Sequence, residues 1–286
     1  MPQFRHLTST TQIEREWLES ELFPLAHRLR DTNGNRHTLD GKSLYCLFYE
    51  PSFLTRTSFE RAIDIMGGRA YHTEDASQFF PVNTPRYVDS ITGMLASLHV
   101  DLVVLRSSEP GIVDTAAEAD ALPIINGGSR DDHPTQAMAD LYTLWRELGA
   151  VDGKHIAVVG RLEHRNVNAL LRGLALFEGV RVTLMPFSGQ AEPEVVSYCE
   201  ERGLSLSTIT NPEVLREVDA IYLNGPRTLA HAQLIRSRGA LNLRIDRDFM
   251  STLRPHCVIL DPMQRSDDFE IAVQDPRLAF YRQAEN

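Results

Sequence analysis

Three places in the sequence hold polar side chains at spacings that could bind an anion and stabilise charge on an oxygen. The first is Ser52, Thr55 and Arg56, with Phe53 and Leu54 between them. They follow directly on the apolar run Ser43-Leu44-Tyr45-Cys46-Leu47-Phe48, and apolar Phe59, Ile63 and Met66 recur behind them at helical spacing. A strand, a tight polar loop and a helix start make an anion site, because free backbone N–H groups and the positive end of the helix dipole converge there. The second is Arg106, which ends the run Leu102-Val103-Val104-Leu105. Ligands of α/β sheets gather at the C-terminal ends of strands. The third is His133 with Gln136, after the polar loop Gly127-Gly128-Ser129-Arg130-Asp131-Asp132. A neutral imidazole held at a helix start is a fixed hydrogen-bond donor that suits an oxygen on which charge develops. Singly, each has an ordinary reading: a helix cap for Ser52 and Thr55, a surface ion pair for Arg106, and a backbone contact at a helix start for His133.

These groups need a scaffold, and the chain is long enough to supply one. Its 286 residues suit two domains of ordinary size. Hydrophobic residues are 42% and charged residues 24%, the balance of a soluble globular protein. A net charge of -10 argues against nucleic acid or an anionic membrane as partner, and leaves room for a local basic pocket. Cys46, Cys199 and Cys257 are odd in number and widely spaced, which offers neither a disulfide framework nor metal-ligand spacing. The N-terminus has no apolar core of a leader, and no apolar run approaches about 18 residues. The expectation is a cytoplasmic protein with a small-molecule substrate, no metal, no cofactor, no nucleic acid and no membrane.

Apolar runs alternate with amphipathic stretches, which predicts an α/β fold. Strands are expected over 43–48, 102–105 and 122–126, then over 155–160, 180–185, 218–223 and 257–261. Helices are expected over 56–66, from Pro134 onward, over 166–177 and over 192–202; proline is well tolerated in a first helical turn. The expected architecture is two similar-sized domains, each a parallel sheet flanked by helices, with the active-site cleft between them. The boundary is placed between residues 1–134 and 135–286.

Read together, Phe48-Tyr49-Glu50-Pro51-Ser52-Phe53-Leu54-Thr55-Arg56-Thr57-Ser58-Phe59-Glu60, Asn126-Gly127-Gly128 and His133-Pro134-Thr135-Gln136 resemble the aspartate/ornithine carbamoyltransferase family. The resemblance runs over nearly the whole chain with the motifs in the usual order. It implies a first domain that binds carbamoyl phosphate and a second that binds an amino-acid acceptor. Ser52, Phe53, Leu54 and Arg56 then lie at the phosphate. Arg106 contacts phosphate and the carbamoyl carbonyl, His133 polarises that carbonyl, and Gln136 orients the carbamoyl amide group. His133, Arg106, Thr55 and Gln136 are the implied catalytic set. A homotrimer with shared active sites is implied as well. Its loop between Asp75 and Asp89 would bring Ser77 or Arg86 to a neighbouring subunit, or pack at the interface without touching ligand.

The departures from the family pattern are mostly lost cations. Phe53 and Leu54 replace a Thr and an Arg, so a backbone nest survives without its bidentate charge. The loop 77–86 has no lysine. In Gly160-Arg161-Leu162-Glu163-His164-Arg165-Asn166-Val167, Asn166 falls where the family Arg binds the acceptor's carboxylate, and Arg165 is expected as a solvated surface residue. Arg227 lies near the place of a second acceptor-binding Arg, out of register. Asp261-Pro262-Met263-Gln264-Arg265 matches an acceptor-pocket loop, with Pro262 and Met263 as candidate contacts. There Gln264 replaces a proline that follows a cis bond. A non-proline cis bond costs about 2.5–4 kcal/mol, so that loop is expected to be reshaped or strained. The family continues past residues 280–283 into a helix docked on the first domain, so looser interdomain coupling is expected here. Each charge-assisted contact contributes about 1.5–3 kcal/mol. The losses therefore lead to an expectation of carbamoyl or related acyl transfer with a changed donor or acceptor, and not the standard reaction of carbamoyl phosphate with aspartate. The alternative is a catalytically silent paralogue serving as a binding or assembly partner. A nicotinamide enzyme ranks third, since one glycine after a strand is no dinucleotide fingerprint.

Overall fold

The computed structural model describes residues 4–31, 37–73, 75–76, 87–225, 243–262, 269–271 and 274–286. They form two compact units, Met1–Thr135 and Gln136–Asn286. Ser77, Arg86, Arg227, Met263 and Gln264, singled out in the sequence, lie outside the described residues.

The first unit opens with a helical stretch over 15–31 (α1), which passes through a π-helical turn at Leu18–Leu22. Next come β1 (Ser43–Phe48), α2 (Phe53–Ile65), β2 (Arg69–Thr73), α3 (Val88–Ser97), β3 (Leu102–Arg106), α4 (Ile112–Glu118) and β4 (Ile124–Asn126). The strands form one parallel sheet in the order β2-β1-β3-β4. Side chains alternate across a strand. Leu44, Cys46 and Phe48 therefore pack with Val104 and Ile63 of α2 on one face. On the other face Leu47 joins Val103 and Leu105 against Val88 and Leu95 of α3 and Ile112 and Val113 of α4. Phe48 pairs with Arg106, and Leu105 with Asn126. The C-terminal ends of β1, β3 and β4 thus share one edge of the sheet.

Two differences from expectation have simple causes. Helix α2 starts at Phe53 instead of Arg56, because the extended Ser52 takes the N-cap position and the chain coils at once. Phe53, Leu54 and Thr55 therefore ride on the first helical turn and not on a loop. Strand β2 escapes a reading by apolar runs because Arg69, Tyr71 and His72 of this edge strand are exposed.

The second unit starts within α5 (Pro134–Leu148) and continues through β5 (His155–Arg161), α6 (Arg165–Leu174), β6 (Arg181–Ser188), α7 (Pro193–Glu201), β7 (Ser205–Thr208) and β8 (Ala220–Asn224). Then come β9 (Leu243–Ile245), α8 (Arg247–Thr252), β10 (Val258–Leu260), β11 (Phe269–Ile271) and α9 (Phe280–Glu285). Its main sheet is parallel, in the order β10-β8-β5-β6-β7, with β9 and β11 paired separately. Both sheets are parallel and flanked by helices, the architecture that the alternating runs implied. The last helix, α9, is tied to α5: the Arg282 guanidinium forks onto both Glu147 carboxylate oxygens at 2.7 and 2.8 Å, and Asn286 Nδ2 donates to Thr143 Oγ1 at 2.8 Å. Among the described residues no helix is long and apolar enough to cross a membrane.

Candidate active site

In the first unit the sheet edge described above gathers the polar residues. Arg106, the last residue of β3, is buried, and its Nη1 donates to the Gly127 carbonyl at 3.0 Å. A loop then carries the chain from Asn126 to His133. Buried Asn126 shapes it from within: its Nδ2 donates to the carbonyl of Thr8 (2.7 Å) and to Ser129 Oγ (3.0 Å), while its Oδ1 accepts from the Gly128 N–H at 2.9 Å. Gly128 has φ +117°, a conformation L side chains rarely adopt. A Cβ placed there would lie 2.8 Å from Arg106 Nη1 and 3.3 Å from His133 Nε2. Arg106 and His133 therefore both pack against Gly128, and only the lack of a side chain there lets them stand so close to it.

His133 itself is 4% exposed. Its Nδ1 meets Thr135 Oγ1 at 3.2 Å. In the tautomer where the hydroxyl donates to Nδ1, the ring proton sits on Nε2, which lies on the side of the ring that packs against Gly128. The backbone is held equally firmly. Asp132 accepts the His133 N–H on Oδ1 at 2.8 Å, together with Thr10 Oγ1 at 2.5 Å, and takes Ser9 Oγ (2.9 Å) and the Thr10 N–H (2.8 Å) on Oδ2. The N-terminal segment reaches this place by pairing with the sheet: the Leu7 N–H donates to Ile124 O and the Asn126 N–H to Leu7 O, both at 2.8 Å. A capping box between Ser9 and Gln12 then starts a short 3-10 turn. Nothing in the local sequence around residues 7–12 signals this role.

The first turn of α2 leaves the same sheet edge after β1. Ser52 is its N-cap residue and makes no side-chain capping bond, so the ordinary cap reading does not hold for it. Phe53 is 67% exposed and Leu54 is also exposed. Arg56 turns back along the helix toward Glu60, with Nε 3.7 Å from Oε1, and the same oxygen is 2.7 Å from His72 Nδ1. Thr55 is half-buried on this turn.

A second polar cluster sits at the C-terminal end of β5 in the second unit. Gly160 has φ +129°, and a Cβ there would fall 2.1 Å from the Asn224 carbonyl oxygen of β8, so the strands close up only around glycine. Asn224 Nδ2 donates to Arg161 O at 2.7 Å. Arg161 is buried with Nε 3.4 Å from Glu163 Oε1. His164 caps α6, its Nδ1 accepting from the Asn166 N–H at 3.3 Å. Arg165 is 4% exposed, which corrects its reading as a solvated surface residue. Helix α6 is buried on nearly every side, so its first residue is interior as well. Asn166 is buried next to it, one position into the helix.

Gln136 belongs to this unit. Its Nε2 donates at 2.8 Å to Oδ1 of Asp140, a fully buried carboxyl that burial pushes up to about 7. Pro262 is described just after Asp261, the residue that follows β10. Among the described residues no group of His, Cys, Asp and Glu is arranged to hold a metal ion.

Residues 5–146 match the family described as aspartate/ornithine carbamoyltransferase, carbamoyl-P binding domain. The chain is 35% identical to the aspartate carbamoyltransferase catalytic subunit of Pyrobaculum neutrophilum, over 98% of this chain and 93% of that protein. The aspartate transcarbamoylase of Trypanosoma cruzi in complex with carbamoyl phosphate and aspartate is similar in structure, with a TM-score of 0.85 and 26% identity over 98% of this chain and 92% of that one. The catalytic subunit of M. jannaschii aspartate transcarbamoylase gives 0.81 and 27% over 98% and 93%. These similarities overturn the expectation of a non-standard donor or acceptor, and with it the silent-paralogue alternative, since they point to the standard reaction. That expectation counted lost side-chain cations as if they alone held the anion. The backbone N–H groups at the start of α2 and the buried Arg106 remain. The chain belongs to the aspartate/ornithine carbamoyltransferase family, on its aspartate carbamoyltransferase side.

Proposed function

We propose that the protein transfers the carbamoyl group of carbamoyl phosphate to the α-amino group of aspartate. The observation that carries this is that two buried residues, Arg106 through Nη1 and His133 through Nε2, both pack against Gly128 at the C-terminal edge of the first sheet. In the reaction the amine nitrogen attacks the carbamoyl carbon and forms the new C–N bond. The carbonyl π electrons move onto oxygen, where His133 and Arg106 stabilise them as fixed donors. Collapse breaks the C–O bond to phosphate, and inorganic phosphate leaves with the proton shed by the amine. Gln136 reads the carbamoyl nitrogen. The first turn of α2, with Ser52, Thr55 and its free N–H groups, receives the phosphate. Buried Arg165 at the start of α6, ahead of Asn166, is the candidate for the acceptor's carboxylate. Incubating the purified protein with both substrates should yield carbamoyl aspartate and phosphate in equal amounts. A folded protein that makes neither would overturn the proposal.

The phosphate end is where this chain should be improvable. Leu54→Arg adds a guanidinium on the exposed first turn of α2. A charge-assisted contact of about 1.5–3 kcal/mol, reduced by solvent at this position, corresponds to a KM for carbamoyl phosphate lower by about tenfold. Initial-rate kinetics at saturating aspartate would measure it, and an unchanged KM would mean that the phosphate does not approach this turn.

The same reading extends to a homotrimer with shared active sites, supported by family membership. Sedimentation at micromolar concentration should give three times the chain mass of 32.3 kDa, and a monomer would remove this part.

A further inference from the structure

We propose that Asp140 is a positioning residue that fixes the side-chain amide of Gln136, so that the carbonyl oxygen of Gln136, and not its NH2 group, is presented to the carbamoyl nitrogen of the substrate. The inference rests on the carbamoyl-transfer reading for the identity of that substrate. The orientation itself follows from a chain of hydrogen bonds whose direction is set at one end. A backbone N–H can only donate, and the Asp261 N–H lies 2.8 Å from Gln283 Oε1. That fixes the Gln283 amide, whose Nε2 then donates to Asp140 Oδ1 at 2.7 Å. The same Oδ1 receives Gln136 Nε2 at 2.8 Å, and Oδ2 receives the Tyr222 hydroxyl at 2.8 Å. Turning the Gln136 amide over would set its oxygen against an oxygen already serving as acceptor, at the cost of a buried hydrogen bond.

The relay is sealed from water at Asp140 and beyond, while Gln136 at its other end is half-buried. Asp140 is fully buried, and Tyr222, Gln283 and Asp261 are buried around it. It also joins three separate elements. Gln136 and Asp140 lie one turn apart on α5, Tyr222 comes from β8, and Gln283 comes from α9. Asp261 heads the segment that continues through Pro262. The short C-terminal helix therefore acts on Gln136 through Gln283, without touching it in sequence. Burial holds the carboxyl up to about 7, and apolar packing alone calls for no such group in this place.

The test uses the full chain and two readouts. In wild-type protein the Gln136 side-chain amide protons should exchange slowly with solvent in 15N-edited NMR. Asp140→Leu should abolish that protection and lower kcat about tenfold or more, with KM for aspartate little changed. Asp140→Asn should restore both, because its Oδ1 still accepts from the two glutamines and its Nδ2 can donate to the Tyr222 oxygen. Adding Gln136→Ala to Asp140→Leu should cost nothing further, whereas a merely structural Asp140 gives additive losses. Free exchange of the Gln136 amide in wild-type protein, or additive losses in the double variant, overturns the proposal. Should Asp140→Leu fail to fold, the wild-type exchange measurement decides alone. Protected amide protons in a protein that transfers no carbamoyl group would instead defeat the transfer reading and leave the fixed amide standing.

Discussion

Turnover should fall by about 10²–10³ in His133→Ala, the usual loss on removing one oxyanion donor. The protein should still fold. The His133 N–H bond to Asp132 Oδ1 is a backbone bond and survives truncation of the ring, as do the Asp132 bonds to Ser9 and Thr10. Rates at saturating carbamoyl phosphate and aspartate would show the loss in kcat, and an unchanged circular dichroism spectrum would place it in the chemistry. Full turnover in this variant would end the claim that His133 activates the carbonyl.

Gly128→Ala should do comparable damage by adding a single methyl group. At φ +117° an alanine is strained before it touches anything, which costs on the order of 1–3 kcal/mol of stability. Its methyl would then sit 2.8 Å from Arg106 Nη1 and 3.1 Å from His133 Cδ2, too close for both to stay in place. Moving a catalytic group by about 1 Å commonly costs on the order of 10²-fold in rate. Thermal unfolding and kcat together separate the two effects. Combined with His133→Ala, the substitution should still add a loss, because its methyl displaces Arg106, the donor that His133→Ala leaves in place. If Gly128→Ala were destabilised yet fully active, the convergence of Arg106 and His133 would have no part in catalysis.

Much of the fold was legible because buried strands announce themselves. Ser43–Phe48 and Leu102–Arg106 are continuous apolar runs ending in a turn or a charge, and both are strands of the first sheet. His133 stood out through the motif Asn126-Gly127-Gly128 followed by His133-Pro134-Thr135-Gln136, whose proline begins α5. Other features escaped for physical reasons. The start of α2 at Phe53 depends on the extended backbone of Ser52, which no side-chain pattern reports. The burial of Arg165 depends on α6 being enclosed all round. The run Val167, Ala169, Leu170, Leu171 and Leu174 carried that signal, since a helix apolar on most sides has no solvent face to give its first residue. The holding of Gln136 through Asp140 and Gln283 joins residues 143 apart, and local periodicity is blind to it.

The clasp of Ser9 and Thr10 on Asp132 also sets an order of events during synthesis. Leu7, Ser9 and Thr10 find their partners on β4 and its following loop, 122 positions later in the case of Thr10 and Asp132. Until that loop has been made, Leu7 has no strand to extend and the Asp132 carboxylate has no clasp. The closure is long-range, and contacts of high sequence separation form late and slowly. The pocket around His133 is thus among the last parts of its unit to set, and a nascent chain with most of its first sheet already built has yet to acquire its reactive centre.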